Sequence, residues 1–77
     1  MKIDELTIKK TVAKVLKISL DKIVNDLAVG DIPEWDSLAH MQIFNCMEKE
    51  YGIKLDIDQM IEIEDIEDLI DAYLDKK

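Results

Sequence analysis

Apolar residues at positions 3, 6, 8, 12, 15 and 16 recur with a period near 3.6 and predict a first helix from Ile3 to about Lys17. Asp4 and Glu5 near its start and Lys14 and Lys17 near its end suit the helix dipole. From Ile18 to Trp35 the period fails. Asn25, Gly30, Pro33 and scattered Asp residues mark turns, so this stretch predicts a long loop anchored to a core by Ile23, Leu27, Ile32 and Trp35. Asp36 and Ser37, both good capping types, open a second helix that runs to Tyr51, where Gly52 supplies a stop. After Ile53-Lys54-Leu55, Asp56 or Asp58 caps a brief turn through Ile61. A last helix from about Asp65 to Leu74 turns Ile66, Leu69, Ile70 and Tyr73 inward. The expected fold is an all-α four-helix bundle, three main helices and one short one, forming one domain over residues 1–77.

Drawn as a wheel at about 100° per residue, the second helix gathers Ile43, Phe44, Met47 and Tyr51 into one core-facing sector. Leu38 and Met41 fall roughly 100° to 170° from the centre of that sector, on the side that should meet water. Single exposed apolar residues are common, but two large ones beside a capping serine read better as a contact surface.

The charge balance narrows the function. Ten Lys and no Arg stand against 18 acids, for a net charge of −8. Residues 1–22 hold six Lys and three acids (+3), and residues 23–77 hold four Lys and fifteen acids (−11). Such a chain is unsuited to a phosphate backbone or an anionic membrane and favours basic protein partners. No apolar run approaches the roughly 18 residues of a membrane span, and the Met-Lys-Ile-Asp-Glu start has no signal-like stretch, so a cytoplasmic monomer is expected. The lone Cys46 cannot form an internal disulfide, and 77 residues cannot readily enclose a deep catalytic cavity, so an enzyme acting alone is not expected.

Each cluster of reactive residues also admits a plain packing role. Ser37 and His40, three apart on a helix, could meet as nucleophile and base in an esterase. Asp36, adjacent to the serine, is badly placed to orient that imidazole, and no Gly-rich oxyanion turn precedes it, so His40 reads as a half-buried histidine. His40 and Cys46 lie about 120° apart on the wheel, with no further His or Cys for a zinc set, which leaves Cys46 to packing. Asp56-Ile57-Asp58 begins like a calcium loop, but Ile61 occupies the place of the required Gly and Met60 that of a ligand. Glu62, Glu64, Asp65, Glu67, Asp68, Asp71 and Asp75 read as a solvated face. Ser19, near the end of the first helix, suits a turn cap. Ser37, at a helix start beneath the Trp35 loop, suits covalent attachment of a phosphate-bearing group.

Glu34-Trp35-Asp36-Ser37-Leu38, then Met41-Gln42-Ile43-Phe44 and Met47-Glu48-Lys49-Glu50-Tyr51-Gly52-Ile53, resembles the Asp-Ser-Leu signature and second helix of the acyl carrier protein family. The resemblance covers nearly the whole chain. It implies that Ser37 carries a 4'-phosphopantetheine arm, transferred from coenzyme A by a separate magnesium-dependent phosphopantetheinyl transferase. The arm's thiol would hold a carboxylic acid as a thioester, and Asp36 would lie beside the transferase's metal. An acyl-loading ligase or acyltransferase and downstream biosynthetic enzymes are the further partners implied, with Glu34, Asp36, Leu38 and Met41 as the contact residues. Where fatty-acid-synthesis members usually carry Gly before the signature and acids along the exposed part of the helix, this chain has Trp35, Ala39 and Gln42. Recognition is therefore expected to lean on Leu38 and Met41 more than on ion pairs. The Trp-Asp-Ser-Leu form is similar to stand-alone carriers that serve specialised pathways. An aminoacyl or peptidyl type of carrier and an unmodified acidic helical adaptor are the alternatives.

Overall fold

The computed structural model describes residues 3–74, and its helices begin at residues whose side chains satisfy the first free amides. Helix α1 (Glu5–Leu16) follows Asp4, whose carboxylate accepts from the Thr7 amide at 2.8 Å and the Thr7 hydroxyl at 2.7 Å. The hydroxyl and then the amide hold the Asp4 carboxyl below its ordinary range. The helix ends at Lys17, in the left-handed conformation with φ 60°. Ile8, Val12 and Leu16 are buried along one stripe. Leu6, expected inside, is half exposed, because two residues from Ile8 is about 200° around the helix. Thr11 is buried instead, its hydroxyl bonded to the Thr7 carbonyl at 3.1 Å.

Helix α2 (Ser37–Tyr51) buries Ala39, Ile43, Phe44 and Met47 and stops at Gly52, whose φ of 71° suits glycine. Tyr51, placed with the core stripe by the wheel, is only half-buried. Ala39 is a correction of the opposite kind: it is buried, so an acid there would enter the core rather than present a charge to partners. Lys14 bonds the Glu50 carboxylate, joining α1 to α2 on the surface. Lys14, and after it the half-buried Cys46 thiol, draw the Glu50 carboxyl below its usual range, while burial and Glu50 push that thiol up.

Helix α3 (Ile57–Glu62) is one and a half turns long and has no buried side chain. A reciprocal cap starts it: Asp56 accepts from the Gln59 amide at 2.9 Å, and the Gln59 side chain accepts from the Asp56 amide at 3.2 Å. Helix α4 (Ile66–Leu74) buries Ile66, Leu69, Ile70 and Tyr73, the four residues its spacing predicts. Within the acidic stretch, Glu62, Glu64, Glu67 and Asp71 face solvent as expected. Asp65 and Asp68 do more. Asp65 caps α4 through the Asp68 amide at 2.8 Å, and Asp68 accepts from the Glu64 amide at 3.2 Å. Asp75, read as part of the same face, lies outside the described residues.

The long loop is strapped across the start of α4. The Leu27 carbonyl accepts from the Ile66 amide at 3.0 Å and the Asn25 carbonyl from the Glu67 amide at 2.9 Å, so the loop satisfies two amides that α4 leaves free. The Val29 amide returns a bond to the Glu64 carbonyl at 2.9 Å. Ile23 and Trp35 are buried, and Leu27 and Ile32 are half-buried against the core, as their spacing predicts. Ser19 precedes a short 3-10 turn (Leu20–Lys22) but makes no side-chain cap bond, contrary to its expected role. The Tyr73 hydroxyl, buried among apolar neighbours, finds no hydrogen-bond partner among the described residues, and burial raises its pKa well above the usual tyrosine value. Four helices and no named strand form among the described residues, and none of these helices is long and apolar enough to cross a membrane.

Candidate functional site

The site forms where the loop turns into α2. Gly30 adopts φ 89°, a conformation other residues rarely take, and its amide donates to the Trp35 carbonyl at 2.9 Å. Trp35 itself has no exposed surface. The next residue, Asp36, is the cap of α2: its carboxylate accepts from the Ala39 amide and its carbonyl from the His40 amide, both at 2.9 Å. Capping had been open to either Asp36 or Ser37, and Asp36 does it. Ser37 is consequently the first residue inside a 15-residue helix, exposed and at its positive end.

Glu34, Asp36, Ser37, Leu38 and Met41 are all exposed, Leu38 at 68% and Met41 at 40%. The wheel thus placed both apolar residues on the correct side. Ser37 and Met41 line a cleft of about 210 Å³ together with Val29, His40, Ile57, Met60 and Ile61. Leu38 is not among its lining residues. The α3 side of this cleft, where Ile57 and Ile61 are 61% and 72% exposed, is not among the residues expected at the site. The signal was present, since apolar residues four apart on a helix of six residues share a face that so short an element cannot fully bury.

His40 is half-buried, as expected, and both of its ring nitrogens are engaged. The Trp35 indole N–H donates to Nδ1 at 3.2 Å, which leaves Nε2 to donate to the Met60 carbonyl, also at 3.2 Å. The imidazole meets Phe44 edge-on, with centroids 4.8 Å apart. An imidazole held this way is not placed as a base for Ser37, so the nucleophile-base pair of an esterase does not form. Among the described residues no three His, Cys, Asp or Glu side chains converge as metal donors.

An exposed hydroxyl at a helix start, open to solvent and beside an apolar cleft, fits covalent attachment of an anionic, extended group. Among known families, a family model described as a phosphopantetheine attachment site matches residues 7–73. No curated protein matches the chain.

Proposed function

The chain belongs to the phosphopantetheine attachment family of acyl carrier proteins, and on that premise we propose that Ser37 is the residue that carries the arm. The 4'-phosphopantetheine group is covalently attached in this family, and in our reading its thiol holds a carboxylic acid as a thioester. Such a carrier interacts with a phosphopantetheinyl transferase and with biosynthetic enzymes. The observation that carries the assignment is the position of Ser37, exposed at the start of α2 and preceded by a capping Asp36. The positive end of the helix favours the phosphodiester, and the buried Trp35 fixes the height of the serine above the bundle.

In this reading the chain is a single-domain, non-catalytic, cytoplasmic monomer that serves a specialised biosynthetic pathway. Asp36 lies beside the transferase's metal, and Glu34, Leu38 and Met41 contact the transferase, the loading ligase or acyltransferase, and the downstream enzymes. Two large apolar side chains in water, on a helix whose core face is already filled, support that surface. Incubation of the unaltered protein with coenzyme A and a broad-specificity transferase tests the carrier role by intact mass. The expected result is a gain of one phosphopantetheinyl group. An acidic adaptor that works unmodified would gain none.

A further inference from the structure

The cleft beside Ser37 leads toward the seam between α2 and α3, and His40 stands across that seam. Its Nε2 reaches α3 at the Met60 carbonyl, its Nδ1 accepts from Trp35, and its edge rests on Phe44. A second open depression of about 370 Å³, lined by Ala28, Ile63 and Glu64, adjoins the first and shares Val29, His40, Met60 and Ile61 with it. Because His40 bridges the two helices and covers Phe44, a chain starting at Ser37 and running inward between them toward Phe44 meets His40 and has to displace it. Displacement strips the acceptor from the Trp35 indole N–H, on a residue with no exposed surface, and a donor from the Met60 carbonyl. The buried indole N–H, left without its partner, disfavours the open state roughly tenfold or more, whereas the Met60 carbonyl keeps the Ile63 amide at 3.4 Å.

We propose that His40 is a polar plug that keeps the cargo outside the helical bundle, so that this carrier suits acyl groups short or polar enough to stay in water. The inference rests on attachment at Ser37. The apolar rim of Met41, Ile57 and Ile61 offers the first part of the arm a shallow rest, while the two hydrogen bonds of His40 close the way to Phe44. His40 acts here as a specificity-determining residue. An apolar side chain in its place has no polar bonds to lose when a hydrocarbon chain enters.

The test loads the unaltered protein with acetyl or octanoyl phosphopantetheine from the corresponding coenzyme A thioesters, confirms each by intact mass, and compares thermal midpoints. A hydrocarbon chain drawn into the core would raise the midpoint by about 3–6 °C for each buried methylene. The expected result is that the two forms melt within one methylene's worth of each other. A rise worth several methylenes overturns the proposal. In His40→Val the octanoyl form should melt well above the acetyl form, and the comparison in the unaltered protein stands even if this variant does not fold. An absent mass gain refutes attachment rather than the plug. Octanoyl pantetheine is then added free in saturating amount, where an unchanged midpoint supports the plug and a rise worth several methylenes overturns it.

Discussion

Helices α2 and α3 face each other across one cleft, and their attachment to the molecule could hardly differ more. Helix α2 buries four side chains, of which Ile43, Phe44 and Met47 each contribute about 1.5–3 kcal/mol by burial. Helix α3 buries none of its own and is held by the buried Leu55 and Ile63 that flank it, by the half-buried Met60, and by the bond from His40 to the Met60 carbonyl. The α2 side also carries Leu38 and Met41, and the α3 side Ile57 and Ile61, all exposed. Apolar surface on α2 is thus of two kinds, one consumed by folding and one left over. The leftover surface surrounds Ser37, and on both helices it is surface that the fold does not use. Stability and recognition are in this way assigned to different residues of the same element.

The largest effect that could sharpen this division lies at Trp35. Because the ring is fully buried and its N–H bonded, Trp35→Ala should cost about 3 kcal/mol or more. A thermal or denaturant melt reads it, and unchanged stability would place Trp35 on the recognition side instead. Next comes Leu38, at 68% exposure. Leu38→Ala should change stability by no more than the roughly 0.5 kcal/mol typical of surface sites. Binding to the transferase should weaken by about 2 kcal/mol, or about thirtyfold in affinity, as at an interface hot spot. Unfolding of this variant with unaltered modification kinetics per folded molecule would return Leu38 to the core and erase the distinction. The smallest effect is at the cap: Asp36→Ala removes the bond to the Ala39 amide and should lower stability by about 1 kcal/mol in the same melts. Equal stability of that variant and the unaltered chain would mean that Asp36 does not cap the helix.

Periodicity made α1, α2 and α4 legible because each has a core face long enough to repeat, and α2 and α4 also fill that face with large apolar residues. Leu6 and Thr11 show the limit, since apolar spacing alone cannot say which of two candidate stripes meets the neighbours. The site was legible at Ser37, Leu38 and Met41 because a wheel separates filled from unfilled directions. Ala39 escaped the same wheel: a small residue at the edge of the stripe is buried by whatever packs beside it, and that depends on the fold. The strap between the loop and α4 was invisible for another reason. Its bonds run from the carbonyls of Asn25 and Leu27 to the amides of Glu67 and Ile66, and backbone groups leave no trace in side-chain pattern. Asp65 and Asp68, read as solvated charge, are the nearest thing to a signal, because acids three apart at a helix start are also a cap.

Attachment at Ser37 is the claim on which the rest depends, and the structure makes its test clean. Since Asp36 supplies the cap, Ser37→Ala should leave the fold intact. The measurement is the intact mass of Ser37→Ala and, in parallel, Ser19→Ala, after incubation with coenzyme A and the transferase. The expected result is no gain in the first and one phosphopantetheinyl group in the second. A gain that persists in a folded Ser37→Ala, or that disappears in Ser19→Ala, would contradict it.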